Sequence, residues 1–558
     1  MSETIHLQIN YSDSLHITKE YPAGISAEEI IEEYRDRLPY RILACRFNNV
    51  NVHLKQPLCR KGTLDLMDQS DFYANTVLQA SFTLLYIKCV HDVLGKKADV
   101  TIANSLSKGL LTQIHNVPVE EDTDRKLSAR MKELVEENLE IKEELLDRSE
   151  ALAWLKENNR EEQIRLFESA PELNDVYLCT LGDESDIFTV HLVPHTGLLN
   201  QFEIRSYRSG MLLRFTHFTT PDEVPEYVEE RILYNAYSEE LRWENLLEAN
   251  YTSELNEAVK TGRFKELVLV SEALHERKIA EIASVIQKKK KRIILIAGPS
   301  SSGKTTFANR LCIQLQVLGV KTLYLGTDDY FINRADMIPD EEGKVDFEAI
   351  SAVDIKLLAD QIDSLLKGEP VDLPRFDFVS GKKVYGERMT SIPENCAIVL
   401  EGIHGLNPEL TKYLDDDDKY RIYISPLTEL NFDPHHRVPT SDVRMMRRMV
   451  RDHRTRGRSA EVTLNSWDEV RRGEEKNIFP FTKEADAFFN SSLIYEIPVL
   501  KNYAEPLLRA IPQTSSVYSE AQRMLKFLSH FVGTDDIQVI NSNTILREFI
   551  GGSVLVDN

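Results

Sequence analysis

An uninterrupted apolar run, Ile293–Ala297, leads straight into Gly298-Pro299-Ser300-Ser301-Ser302-Gly303-Lys304-Thr305. The run has the length of a buried strand, and the residues after it, Thr305–Leu318, carry apolar side chains at helical spacing. Strand, glycine-bracketed loop and helix form one phosphate-binding unit. The glycines let backbone N–H groups turn inward around phosphate oxygens, and the helix adds the positive end of its dipole. This pattern predicts an ATP site made by Gly298, Ser300, Ser301, Ser302, Gly303, Lys304, Thr305 and Thr306. Lys304 reaches the β- and γ-phosphates, and the Thr305 hydroxyl helps to hold Mg²⁺.

Such a unit needs a parallel sheet around it. Further strand-like runs occur at Thr322–Leu325, Ala397–Leu400, Tyr420–Ile424 and Ile494–Leu500, with helical patterns between several of them, such as Asp354–Leu366. Buried strands alternating with helices predict a doubly wound α/β sheet. The N-terminal half reads differently. Thr4–Asn10, Ser14–Thr18, Arg41–Phe47, Val50–Leu54 and Leu64–Met67 read as strands, with Ser26 and Glu29 as a capping box for a helix over Ala27–Leu38. That is the outline of a small β-grasp unit. Leu78–Leu94 and the charge-rich Asp122–Asn158 read as helices, followed by strands at Phe188–Val193, Gln201–Tyr207 and Leu212–Phe218. Val224–Lys291 reads as mostly helix, and its basic end, Lys288–Arg292, reads as a solvated helix terminus.

A chain of 558 residues holds several domains. The boundaries expected are 1–68, 69–235, a helical connector at 236–290, the phosphate-binding domain at 291–535, and 536–558 as a flexible tail or an added strand. With 90 acidic and 67 basic residues the net charge is −23, which disfavours nucleic acid as a partner because phosphate backbones are held by Lys and Arg. The six cysteines form no Cys-x-x-Cys pair, the N-terminus lacks the blocks of a signal peptide, and no apolar run reads as a membrane span. A reduced, cytoplasmic enzyme with no membrane partner is the expectation.

The chemistry beyond phosphate binding lies on the strand ends. Asp328 and Asp329 follow Thr322–Leu325, where α/β sheets bind ligands, and a carboxylate there can take the proton of an attacking hydroxyl. Glu401 ends the apolar run Ala397–Leu400 as a metal-binding carboxylate would. Asp442–Arg458 is densely basic, and arginine forks suit phosphate oxygens and developing charge, so a mobile phosphate-clamping lid is expected there.

Taken in order, Gly298–Thr305, Thr327–Phe331, Val345-Asp346-Phe347, Pro374–Val379, Val399–Gly402 and Asp442–Arg458 resemble the uridine kinase and phosphoribulokinase branch of P-loop kinases. The resemblance implies Asp328 as general base, Lys304, Arg448 and Arg451 as catalytic groups, and Asp346 as the carboxylate on ribose hydroxyls. It also implies Phe376 and Arg448 at the acceptor, Thr305 and Glu401 near Mg²⁺, and Arg451, Arg456 and Arg458 on the ATP phosphates. Pyrimidine-specific members place a tyrosine and a histidine around the base. Here Phe376 and Gly381 stand in that segment, so stacking can persist at Phe376 but Gly381 offers no side chain to read a base edge.

The N-terminal half is similar to the appended domains of threonyl-tRNA synthetase: 1–68 to its TGS domain and 69–235 to its editing module. The carrying stretches are Ile102–Gly109, Val190–His195 and Leu212–Phe215. The editing module's first histidine pair falls on Leu84 and Lys88, whereas His191 and His195 keep the second spacing. Two histidines are too few for a catalytic zinc site, and no synthetase core follows. The reading is therefore an α/β multidomain enzyme: a β-grasp domain, an α+β editing-like domain and a doubly wound P-loop kinase domain that uses ATP and Mg²⁺ on a small nucleoside- or sugar-like acceptor. The competing reading is an RNA- or ribosome-associated P-loop ATPase that acts as a switch.

Overall fold

The computed structural model describes residues 4–12, 14–208, 210–337, 348–428 and 430–556. In the N-terminal sheet, Thr4–Tyr11 pairs antiparallel with Leu15–Pro22 and parallel with Gly62–Asp68, which in turn pairs with Ile42–Phe47. Ile42–Phe47 and Val50–Val52 form a hairpin around Asn48 and Asn49, whose φ angles of 51° and 62° are those a two-residue hairpin turn demands. The capping box is present: Ser26 Oγ accepts from the Glu29 N–H, and Glu29 accepts from the Ser26 N–H at 2.8 Å. The helix that follows is shorter than its pattern, Ala27–Glu33, with a 3₁₀ turn at Arg35–Arg37.

The second region corrects two expectations. Asp122–Asn158 is not one helical stretch. Helices Thr123–Glu136 and Arg148–Glu157 are separated by a strand, Lys142–Leu146, paired with Val176–Leu181. Asn138 stops the first helix at φ 49°, and strand pairing overrides the helical preference of a charged segment. Likewise the strand expected at Phe188–Val193 ends at Phe188, having begun at Glu184. Beyond it the backbone turns to other partners: the Val193 N–H donates to Ser81 Oγ at 3.0 Å, and Pro194 O accepts from the Ile141 N–H at 2.9 Å.

Helix Phe72–Leu94 is long and apolar enough to cross a membrane, which the sequence reading overlooked. Two thirds of its most apolar window, 67%, is buried within the protein, the position of a core helix. It carries Leu84, fully buried, and Lys88, paired with Asp92 and with Asp183 at 3.0 Å. His191 and His195 diverge. The first bonds Glu143 at 2.7 Å and the second Glu28 at 3.2 Å, and among the described residues no group of three His, Cys, Asp or Glu side chains could hold a metal ion.

The junction between the halves joins apolar core, Leu166, Phe167 and Ile187 clustering with Phe432 and Phe527, to a set of buried ion pairs. Asp186 pairs with His435, Asp433 with His436 at 2.9 Å, and Gln163 reaches both carboxylates. Burial opposes ionisation of Asp186, but the His435 charge outweighs it and holds that carboxyl well below its ordinary range. Burial also opposes protonation of His436. The Asp433 charge and hydrogen bond, with Asp186 beyond them, outweigh burial and nearby Arg160 and push its pKa up to about 9. The sign follows from these directions. A histidine raised above its ordinary value of 6.5 stabilises the fold fully below 6.5 and stops doing so as pH rises through about 9. The depressed carboxylates stabilise above their ordinary 3.8 and stop as pH falls through their folded values. The melting temperature should therefore fall by a few degrees between pH 6.5 and pH 9. Thermal unfolding across that window checks this, and an equal fall in His436→Gln would remove His436 as the cause.

The C-terminal half is a five-stranded parallel sheet in the order Lys321–Gly326, Cys396–Glu401, Ile293–Ala297, Lys419–Ser425, Ala487–Asn490. Ile293–Ala297 is buried throughout, as its composition requires. The fifth strand is Ala487–Asn490, not Ile494–Leu500; the latter enters helix Glu496–Arg509. Pro498 falls in that helix's first turn, where a missing N–H costs nothing, and buried Glu496 anchors the turn to Arg447. Among the described residues, 536–556 add no strand to the sheet. They form helix Ile545–Ile550, with Ile545, Leu546 and Phe549 fully buried against the phosphate-loop domain.

Candidate active site

Three chain segments meet at the carboxyl edge of the sheet. The first is the loop after Ile293–Ala297. A side chain at Gly298 would place its Cβ 2.1 Å from Ile424 O, so only glycine lets the loop pack against the neighbouring strand. Ser301 and Gly303 have φ of 61° and 81°, and this left-handed pair curls the loop. Lys304 begins helix Lys304–Val317 and folds back over the loop, its Nζ donating to Gly298 O at 3.0 Å and Pro299 O at 3.1 Å. The Ser301 and Ser302 hydroxyls are buried without a hydrogen-bond partner. Buried polar groups of this kind ordinarily find a partner, and phosphate oxygens would supply one.

The second segment is the 3₁₀ turn Thr327–Tyr330 after Lys321–Gly326. Its two carboxylates have different surroundings. Asp329 is tied down: its Oδ2 lies 2.7 Å from Arg388 Nη1, and its Oδ1 accepts from the Phe376 N–H at 3.3 Å. Asp328 is exposed. One side meets solvent, while the protein packed around the rest desolvates it. That burial raises its pKa, Asp329 adds to the rise, and Lys304 opposes it.

The third segment is the end of Cys396–Glu401. Glu401 Oε2 lies 3.5 Å from Thr305 Oγ1 and accepts from Tyr324 OH at 3.1 Å. Burial raises its pKa, Lys304 opposes the rise, and Asp328 adds to it. The Glu401 carboxylate and the Thr305 hydroxyl, beside Lys304, offer oxygen donors only, which fits Mg²⁺.

The basic helix, Thr440–Arg456, divides its arginines by depth. Arg447 is fully buried, bonding Glu496 at 2.6 Å, Ser491 O at 2.7 Å and Ser301 O at 3.3 Å. Arg444 pairs with buried Glu474 and lies over the Trp467 ring at 5.4 Å. These two brace the loop from behind. Arg448 reaches forward, its Nη1 donating to Ser300 Oγ at 2.7 Å. Arg448, Arg451 and Arg456 all gather on the buried carboxylate of Asp452, at 3.6, 3.0 and 3.2 Å. The Arg458 side chain is exposed just past the helix end at Gly457.

The acceptor side departs from expectation. The Phe376 ring is 4% exposed and packs edge-on against Phe331 and Phe378, at 5.6 and 5.2 Å, so it forms part of an aromatic core. Phe378, 57% exposed, presents the open ring of that cluster. Gly381 has φ of 66°, and a Cβ there would lie 2.8 Å from Arg334 Cβ. Asp346, within Val345–Phe347, lies outside the described residues.

Sequence reasoning missed Arg388, Asp452, Glu474 and Glu548 and gave Asp329 no role of its own. Glu474 Oε1 accepts from the Ser300 N–H at 2.8 Å, and Glu548 Oε2 from the Thr306 N–H at 3.2 Å. Only Asp452 left a sequence signal, as an acid set within a basic helix.

Known proteins resemble the region that carries this site. The sequence profile of the Phosphoribulokinase / Uridine kinase family matches residues 293–494. The chain is 30% identical over 182 residues to a uridine kinase of Lactobacillus johnsonii, covering 33% of this chain and 77% of that protein. It is 27% identical over 180 residues to a uridine kinase of Deinococcus deserti, covering 32% and 77%. Among solved structures, a possible uridine kinase from Bacillus stearothermophilus overlaps 38% of this chain and 98% of its own, at 20% identity and a TM-score of 0.26. The matched region runs from the phosphate-loop strand through the basic helix to the strand Ala487–Asn490, and it excludes the N-terminal half. With three quarters of a uridine kinase aligned at that identity, the chain belongs to the Phosphoribulokinase / Uridine kinase family and is an ATP-dependent phosphotransferase.

Proposed function

We propose that the chain transfers the γ-phosphate of ATP to a hydroxyl of a nucleoside or a related sugar. The observation that carries this reading is the meeting of Lys304, Thr305, Asp328 and Glu401 at one sheet edge, with Asp328 exposed on one side and its pKa raised by the protein packed around the rest of it. Asp328 takes the proton of the acceptor hydroxyl as its oxygen bonds to the γ-phosphorus, and the bond to the β–γ bridging oxygen breaks with its electrons to ADP. Lys304 and the loop N–H groups hold the β- and γ-phosphates. Arg448, Arg451, Arg456 and Arg458 release Asp452 or solvent to neutralise charge on the transferred group. Thr305 and Glu401 would hold Mg²⁺, which when bound would neutralise charge on the phosphate oxygens. Asp329 and Arg388 position the acceptor segment through Phe376. Asp346 is assigned to acceptor hydroxyls on the family resemblance alone.

The sheet order of the first five strands supports a β-grasp reading of 1–68, and the mixed helices and strands between Phe72 and Phe215 support an α+β editing-like reading of 69–235. These are read as regulatory domains of a cytoplasmic kinase. An acceptor panel tests the proposal. ADP release from Mg-ATP should depend on a nucleoside or sugar, and uridine and cytidine should be used within a few-fold of each other, because Gly381 presents no side chain. Turnover indifferent to every small acceptor but stimulated by RNA would replace this reading with the ATPase switch.

A further inference from the structure

The phosphate loop is not left open by its own chain. Helix Ile545–Ile550 lies directly on it, and Ile545 packs so closely that a Cβ on Gly303 would meet its Cγ2 at 2.5 Å. The carboxylate of Glu548 accepts two hydrogen bonds from Thr306, 3.2 Å from the backbone N–H and 2.6 Å from Oγ1. Thr306 stands in the first turn of the loop helix, where N–H groups point at the α- and β-phosphates of a bound nucleotide. A buried carboxylate is therefore bonded to a donor that the nucleotide needs.

The contact extends in both directions. Asn309, further along the loop helix, donates to Leu555 O at 3.2 Å. Arg454, on the basic helix, donates to Glu548 O at 3.1 Å and to Phe549 O at 3.2 Å. The same segment thus touches the phosphate loop and the helix that carries the phosphate-binding arginines.

We propose that Glu548 is a built-in competitor of the nucleotide, and that the C-terminal segment autoinhibits the kinase by holding this carboxylate where an α- or β-phosphate binds. The proposal rests on the donor-site reading above. A phosphate oxygen cannot share the Thr306 donors with a carboxylate without bringing two negative charges together, so ATP must displace Glu548. Whatever draws the segment away then raises ATP affinity, and through Arg454 it also frees the basic helix. Removing the segment outright would expose Ile545, Leu546 and Phe549, so single substitutions at Glu548 make the better test.

The experiment is equilibrium binding of Mg-ADP to the full-length parent, Glu548→Gln, Glu548→Ala and Lys304→Ala, with thermal melts to confirm folding. Charge-assisted hydrogen bonds of this kind correspond to roughly 10- to 100-fold in binding, so Glu548→Ala should bind Mg-ADP tighter by about that factor, with Glu548→Gln between it and the parent. Hydrogen exchange of the Ile545–Ile550 amides in the parent should quicken when Mg-ADP is saturating. Folded Glu548 variants that bind no tighter than a parent whose binding depends on Lys304 would overturn the competitor while leaving the donor site intact. Exchange unchanged or slowed by Mg-ADP would overturn it as well. Failure of the parent and both Glu548 variants to bind Mg-ADP would overturn the donor-site reading and the competitor with it.

Discussion

Lys304→Ala is expected to remove Mg-ATP-dependent turnover while leaving the melting profile close to that of the parent. Lys304 bonds two carbonyls of its own loop, Gly298 O and Pro299 O, and lies only partly buried at the start of its helix. Those bonds are replaceable by water, so little stability depends on them. In the reaction the same ammonium meets charge on the β- and γ-phosphates, and Lys304 is the one lysine within Gly298–Thr305. Loss of one preorganised electrostatic group costs about 10²–10³-fold in rate, and the only lysine of a phosphate loop belongs at or beyond the upper end of that range. ADP release by the folded variant is the measurement. Turnover within a few-fold of the parent would remove Lys304 from the chemistry.

Asp328→Asn is expected to lower kcat by about 10²–10⁴-fold, the usual cost of losing a positioned base. The KM for ATP should stay nearly unchanged, since the loop and Lys304 still hold the phosphates. Asp328 and Asp329 are adjacent, yet their surroundings separate their roles. Asp329 is bonded to Arg388 and to the Phe376 backbone, so its loss should disturb the acceptor segment and raise acceptor KM. Asp328 is the more exposed of the two. Its pKa is raised by burial and by Asp329 against the pull of Lys304, and a base works only when deprotonated. The parent's kcat should therefore climb with pH through a value above the ordinary aspartate range, and Asp328→Asn should lack that limb. A steady-state pH profile of both proteins decides the matter; full kcat in the variant would exclude Asp328 as base.

Local chemistry explains why some of this protein was legible in one dimension. The strand Ile293–Ala297, the loop that follows and the Ser26–Glu29 cap are patterns whose parts lie within a few residues of each other. Asn48 and Asn49 marked their hairpin for the same reason, because asparagine tolerates the left-handed conformation that the turn imposes. Where local preference and long-range pairing disagreed, the reading failed. Lys142–Leu146 is a charged segment with helical character, and it becomes a strand because Val176–Leu181, distant in sequence, offers an edge. Ile494–Leu500 has the composition of a strand, and it is drawn into a helix whose first turn accommodates Pro498 and pairs Glu496 with Arg447.

The site divides along the same line. Sequence by itself determined the phosphate loop, the acids at the strand ends and the basic helix, since each is a short motif tied to one element. Tertiary structure alone decided which members of each motif point where. Helical spacing places arginines on faces but is silent on depth, so it could not separate Arg447, braced against Glu496, from Arg448, which reaches Ser300. It was equally silent on Glu548. An acid near the end of a chain carries no local mark of function, and this one matters only because apolar Ile545, Leu546 and Phe549 need a core. Burying them sets its carboxylate on Thr306, more than two hundred residues away in the chain.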